Sequence, residues 1–204
     1  MEYVLTEVVD VAFALSGGTI PADHGWRLYR LLAERLAWLE GESAAGVHPI
    51  RAARAGSGTS ELYVGGRGRL MLRLPRERAG AAYSLSGAQL DLGEGVQVGA
   101  AHVRALFAHG TLYSHFVSTG SGDEARFQAN VTEELQAAGI ECKVVCGKAR
   151  RARGAGGDTQ GFSLMLHGLS AEHSLRMQET GLGEGRKLGC GIFVPHRSAA
   201  AVGA

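Results

Sequence analysis

HGLSAEHSLRMQETGLGEGRKLGCGIFVPH, residues His167 to His196, decides how the second half of this chain folds. Ser170 is a favoured residue type for a helix N-cap, and the segment after it keeps helical composition with Leu175 turned inward. Gly181 closes that helix as a C′ glycine. Five glycines between Gly181 and Gly191 then surround the adjacent cations Arg186 and Lys187, and Ile192-Phe193-Val194 reads as a strand. The glycine loop therefore runs from a helix into a strand. A phosphate-binding P-loop runs the other way and needs Ser or Thr after its lysine, where this chain has Leu188. A dinucleotide fingerprint started at Gly181 fails as well, because its third glycine falls on Arg186. Both common nucleotide folds are excluded, yet flexible backbone beside two cations still suits a phosphate.

Working back from that loop, GFSLMLHGL is a strand, KARRARGAGGDTQG a basic glycine-rich hairpin loop, and residues 140–146 another strand. Before them lies a helix capped by Asp123, with Phe127, Val131 and Leu135 on one face and Gly139 at its end. TLYSHFVS, residues 111–118, is the strand that leads in. The order is β-α-β-β-α-β, the ferredoxin-like order. The first half reads the same way. Residues 3–15 form a strand, Asp23 caps a helix with Leu28, Leu32, Leu36 and Leu39 along one face, and strands follow at 46–53 and 60–74. The second of these breaks at Gly65-Gly66. A helical or turn segment at 75–84 and strand pieces near 88–98 complete it. The expected fold is α+β: two ferredoxin-like halves packed side by side, residues 1–100 and 101–204.

Composition limits what such a chain does. Of 204 residues, 45% are hydrophobic, enough for a real core, and the net charge is only +1. The charge is unevenly spread. Residues 1–50 hold 3 Lys/Arg against 7 Asp/Glu, whereas residues 143–204 hold 9 against 4. A polyanion would meet the C-terminal third, at a shaped site rather than over the whole surface. No apolar run approaches the roughly 18 residues of a membrane span. Met1-Glu2 opens without the basic region of a signal peptide, so a cytoplasmic, reduced protein is expected. Cys142, Cys146 and Cys190 lack the paired spacing of a zinc site, and no histidine pair has metal-ligand spacing. Neither metal nor cofactor is expected.

Two features carry chemistry. His24 follows Asp23 at a helix start, where free N–H groups and the helix dipole attract phosphate, and an imidazole there moves protons near neutral pH. His48 is the weaker candidate, and His115, on an apolar strand, reads as structural. Lys148, Arg150, Arg151 and Arg153 are the strongest basic cluster. A charge run is commonly a solvated face, but this one sits on a hairpin in the basic third, where arginines grip RNA stem-loops and order on binding.

Three stretches together resemble a known family. VDVAFALSGGTIPADHGWRLYRLLAERLAWLE, and above all DHGWRLY (Asp23 to Tyr29), is similar to the first strand and helix of the CRISPR repeat-processing endoribonucleases of the RAMP superfamily, most closely the small MYXAN-type members. The His167–His196 stretch is similar to their C-terminal signature, with Gly183, Gly185, Gly189 and Gly191 matching the superfamily's glycine-rich loop. The resemblance implies paired ferredoxin-like folds and metal-independent cleavage of precursor CRISPR RNA by an upstream 2′-hydroxyl, leaving a 2′,3′-cyclic phosphate and a 5′-hydroxyl. It implies His24 as general base or acid. Tyr29, a turn and a half further on, need not face the same site. The glycine loop (Gly183, Gly185, Gly189) would lie on the RNA backbone, with Arg186 and Lys187 pairing phosphates. The partners implied are the repeat stem-loop and other subunits of a CRISPR effector complex. The runner-up is a subunit that holds the repeat without cutting it, and a third reading is a ferredoxin-like protein for a small phosphorylated molecule.

Overall fold

A computed structural model describes residues 6–154 and 157–197. The chain divides into two compact units, Met1–Ala105 and Leu106–Ala204. The first contains β1 (Val8–Gly17), β2 (Thr19–Pro21), α1 (Gly25–Arg35), β3 (Gly46–Val47), β4 (Ala53–Arg54), β5 (Glu61–Tyr63), β6 (Arg69–Pro75), α2 (Ala79–Ala82), β7 (Gln89–Leu90) and β8 (Val96–Ala105). β8 runs straight through residue 100, where the sequence placed the boundary. The second unit contains β9 (Thr111–Val117), α3 (Glu124–Ala137), β10 (Lys143–Gly154), β11 (Gly157–His167), α4 (Ala171–Thr180) and β12 (Val194–Pro195).

The first unit's sheet has the order β3-β6-β1-β8-β7 and the second unit's β10-β11-β9-β12. Numbered within each βαββαβ repeat, both read 2-3-1-4, antiparallel throughout. That is the ferredoxin-like arrangement. The first unit adds β7 at one edge and a separate three-stranded sheet, β2-β5-β4, built from the connection after α1.

Alternation in β1 sends Val9, Val11, Phe13 and Leu15 into a core shared with Leu28 and Leu32 of α1 and Leu70, Leu72 and Leu74 of β6. The helix itself stops at Arg35. Leu36 leaves helical geometry at φ −121°, ψ 75°, and a 3-10 turn at Ala37–Leu39 keeps Leu39 inside. In the second unit Phe127, Val131 and Leu135 of α3 meet Phe162, Leu164 and Leu166 of β11, with the Phe127 and Phe162 rings 4.8 Å apart. Removing either ring would cost about 3–5 kcal/mol. Asp123 caps α3 by accepting from Arg126 N at 2.8 Å, as its position predicts. Ser170 does the same for α4 from His173 N at 3.1 Å.

Three expectations need correction. α4 buries Ser174, Met177 and Gln178, not Leu175, so its inward stripe is partly polar. Gln178 turns its amide to the Phe107 carbonyl at 2.8 Å, which satisfies a group the apolar pattern hides. The last strand is only Val194–Pro195, with Phe193 fully buried ahead of it. The basic stretch is not a loop: it is strand β10, paired with β11 almost to its end.

Candidate nucleic-acid interface

Asp23 does not cap α1. The chain turns one residue later, and His24 occupies the N-cap without a side-chain cap bond. The expectation of an open imidazole at a helix start is not met. His24 is 3% exposed. Ile50 N donates to its Nε2 at 2.9 Å, and Nδ1 lies 2.9 Å from the Pro21 carbonyl. A backbone N–H is only a donor and a carbonyl only an acceptor, so the ring is the neutral Nδ1–H tautomer with both nitrogens used. Burial pushes its pKa below the ordinary value, against the raising effect of the Pro21 and Ala22 backbone and the Asp23 charge. In this state the imidazole ties the end of β2 and residue 50 to the start of α1.

His48 is also internal. Its Nε2 lies 3.3 Å from Asp10 Oδ1, and the Asp10 carboxylate takes a two-point contact from Arg73, Nε to Oδ1 at 2.8 Å and Nη2 to Oδ2 at 2.9 Å. Asp10 of β1 and Arg73 of β6 are cross-strand partners. Burial alone would raise the Asp10 carboxyl, but the bonds from His48 and Arg73 and the Arg73 charge hold it well below the carboxylate range. Burial pushes His48 down, leaving it neutral and donating Nε2–H to the carboxylate. This network was missed; the one signal for it was a lone aspartate inside the apolar run of β1. His115, by contrast, is exposed on β9 rather than packed.

The cations Lys148, Arg150, Arg151 and Arg153 lie along β10. β9 pairs with β11 only from Phe162 to His167. Beyond that point β10 and β11 continue alone as a two-stranded arm, Arg150 to Gly154 against Gly157 to Gly161. Alternation splits the cluster: Arg151 and Arg153 share the face of Gln160 and Asp158, while Arg150 shares the opposite face with Thr159. Lys148 falls within the register shift between Cys146 and Ala149. Arg150 Nε is buried with no hydrogen-bond partner among the described residues, an arrangement costing about 1–3 kcal/mol until an acceptor arrives. Of the glycines expected to loosen this loop, Gly154 ends β10 and Gly157 begins β11, and Gly156 lies outside the described residues.

The glycine loop is packed, not open. A side chain at Gly183 would run into the Ser118 carbonyl, and one at Gly191 into that of Leu182. Gly183 N donates to Glu134 Oε2 at 2.9 Å, Glu184 N to Ser118 O at 2.8 Å and Gly191 N to Phe116 O at 2.8 Å. Gly185 and Gly189 are left-handed, at φ 80° and 90°, and bracket a 3-10 turn over Arg186–Leu188. Arg186 turns back: its Nη1 donates to the Glu179 carbonyl at 2.7 Å and to that of Thr180, closing the C-terminus of α4. Close backbone approach at Gly183 and Gly191 and left-handed backbone at Gly185 and Gly189 thus each call for glycine within the fold itself. Lys187 is half-exposed. The structure does bring loop and arm together, since a side chain at Gly154 would come within 3.7 Å of Leu188 Cδ1. His24 belongs to the first unit and the other expected residues to the second.

Thiol chemistry finds no support, because burial pushes Cys190 up to about 12 and Cys146 to about 11. Among the described residues no three His, Cys, Asp or Glu side chains gather as metal ligands. No described helix is long and apolar enough to cross a membrane.

Comparison with known proteins narrows these features. A family model described as Cas6 Crispr matches residues 9–198. A curated relative from Myxococcus xanthus (strain DK1622), described as CRISPR-associated endonuclease Cas6, is 39% identical over 196 residues, 95% of this chain and 84% of the relative. A solved structure described as a Cas6-related gene product from Pyrococcus furiosus gives a TM-score of 0.65 at 14% identity, covering 92% of this chain and 98% of that one. Another, described as a RAMP protein binding different RNA substrates, gives 0.62 at 13% identity, covering 91% and 98%. At such identity the solved structures speak for the fold.

Proposed function

The chain belongs to the Cas6 CRISPR family, and from that premise we propose that it is an endoribonuclease that binds the repeat stem-loop of precursor CRISPR RNA and cuts within the repeat. The observation that carries the RNA reading is the arm. Strands β10 and β11 carry Arg150, Arg151 and Arg153 beyond the last pairing with β9, Lys148 lies just before that point, and the Arg150 Nε has no acceptor among the described residues. A phosphate oxygen is such an acceptor, and a charge-assisted one. The same reading places the protein in the cytoplasm with its transcript, passing the product to other subunits of an effector complex.

The proposed reaction is transesterification. A 2′-hydroxyl gives up its proton and its oxygen attacks the adjacent phosphorus. The bond to the 5′-oxygen breaks, and that oxygen takes a proton. The products are a 2′,3′-cyclic phosphate and a 5′-hydroxyl. The nucleophile is part of the substrate, so the chemistry requires no metal-bound water. His24 takes the first proton in this proposal, and its neutral form suits that role. It can do so only after the Ile50 N–H releases Nε2, so RNA binding must shift residue 50. The second reading, a subunit that holds the repeat uncut, is favoured by the same geometry, because as it stands the His24 ring has no lone pair to offer.

Incubating the purified protein with cognate repeat RNA in EDTA tests the proposal. The expected result is a single cut whose fragments carry a 5′-hydroxyl and a cyclic phosphate. A 2′-deoxy sugar upstream of the cut should bind and stay intact. A strict magnesium requirement in the chemical step would overturn the mechanism, and binding without any cut would establish the second reading.

A further inference from the structure

The chain has two tryptophans, Trp26 and Trp38, and each carries an arginine over its ring. The Trp38 pair is closed. Arg78 stacks 5.5 Å from the ring centroid, its Nε bonds Glu42 at 3.3 Å, and Trp38 packs against the first unit's core. The Trp26 pair is open. Arg30 sits 5.9 Å from the ring centroid, one helical turn along α1, and Tyr29 lies tilted against the indole at 5.7 Å. Tyr29 reaches the core, but Trp26 is not part of it. Among the described residues neither the Trp26 indole N–H nor the Arg30 guanidinium has a hydrogen-bond or ion-pair partner. The indole is half-exposed beneath an exposed arginine and lies outside the core, so this ring and guanidinium face solvent rather than packing the fold.

Resting on the RNA reading above, we propose that Trp26, Tyr29 and Arg30 form a stacking platform for one unpaired nucleobase of the RNA, with Arg30 swinging to the adjoining phosphate. The ring area suits a single base, and Arg30 is an exposed cation beside the ring, on a helix that also exposes Glu34 and follows an exposed Asp23, so the stacking rings rather than net charge would carry the contact. Arg27 is already held by Asp91 at 3.2 Å, which leaves Arg30 as the mobile cation. Stacking on the indole replaces the Arg30 contact rather than adding to it, so binding a base and freeing the guanidinium are one event.

Trp38→Phe leaves Trp26 as the sole tryptophan, and its fluorescence reports the platform directly. Repeat RNA with its unpaired flanks should quench that emission, whereas the blunt stem alone and heparin should not. Trp26→Ala should weaken binding of the flanked RNA roughly 5- to 100-fold, with Trp26→Phe retaining most of the affinity. The affinity series serves even if Trp38→Phe fails to fold. If gel shifts show the flanked RNA bound while Trp26 emission and the Trp26→Ala affinity stay unchanged, the platform is wrong and the RNA reading stands. If no RNA binds, both fall. Emission that shifts with protein concentration alone would mark a contact between copies and overturn the proposal.

Discussion

At one place in each sheet, next to the third strand of the repeat, the first unit has β3, two residues long, and the second has β10, twelve residues long. Around β3 the polar groups turn inward: His48, just past its end, bonds Asp10, which Arg73 also holds. Along β10, Arg151 and Arg153 are exposed, on an arm that outruns its sheet. The topology is shared and the use is opposite. In the first unit charge is neutralised inside and holds strands in register. In the second, extra strand length carries cations beyond the last pairing with β9. Cations also keep an edge strand from pairing with another chain, so the arm has a bland explanation that measurement must exclude.

The largest effect tests the first unit. His24→Ala should slow single-turnover cleavage about 10²- to 10⁴-fold with RNA affinity within a few-fold. The same change strands the Ile50 N–H and the Pro21 carbonyl, so the melting temperature should fall too. His24→Gln offers the Ile50 N–H an acceptor without a titrating group. If it restores both melting and cutting, His24 only positions α1. If it restores melting alone, the proton role stands.

Asp10→Ala should destabilise the protein by about 3–5 kcal/mol in denaturant melts, since Arg73 would be left as an uncompensated buried charge. A loss as small as that of an exposed pair would break the contrast between the units. Acidity probes the same interior. The folded pKa values of His24 and His48 lie below the unfolded 6.5, so the unfolded chain takes protons first. Their contribution is complete above about pH 6.5 and fades as pH falls toward the lowered folded values. Asp10 adds its own loss below its unfolded 3.8, fading as pH drops through its depressed folded value. Melting temperature should therefore decline from pH 7.5 to 5.5, and His48→Gln should shrink that decline.

Replacing Arg150, Arg151 and Arg153 together with Ala should weaken repeat RNA binding and lower the salt slope by roughly 0.7–0.9 for each phosphate no longer neutralised. The two faces sharpen this further, since Arg150→Ala and the Arg151/Arg153 double change remove cations from opposite sides of the arm. Unchanged affinity and slope, with a new tendency to aggregate, would leave the arm a guarded edge. The smallest effect belongs to Arg186→Ala. It should cost about 1 kcal/mol of stability by uncapping α4 and leave RNA affinity alone. A large fall in affinity instead would return Arg186 to the interface.

Much of this architecture was legible in the residues, because its signals are local. Asp123 and Ser170 cap helices from their own positions, Gly181 ends one, and β1 shows its core face by alternation. These are properties of neighbours in sequence, which no distant contact needs to complete. The basic run Lys148 to Arg153 was equally visible as charge. Its conformation was not, because glycine favours turns and the strand forms only where β11 supplies the hydrogen bonds.

Tertiary structure alone decided what the polar residues face. His24 looked open because a helix start ordinarily presents free N–H groups. Ile50, 26 residues away, closes it. The glycines looked like a ligand loop because flexibility and close packing call for the same residue. Only the Ser118 and Leu182 carbonyls show which demand is being met here. Asp10 met Arg73 across 63 residues. Periodicity and capping act over a few residues, so the sequence by itself determined the elements and their order. Burial, protonation and hydrogen-bond partners depend on which distant segments meet, so they existed only once the sheets had formed.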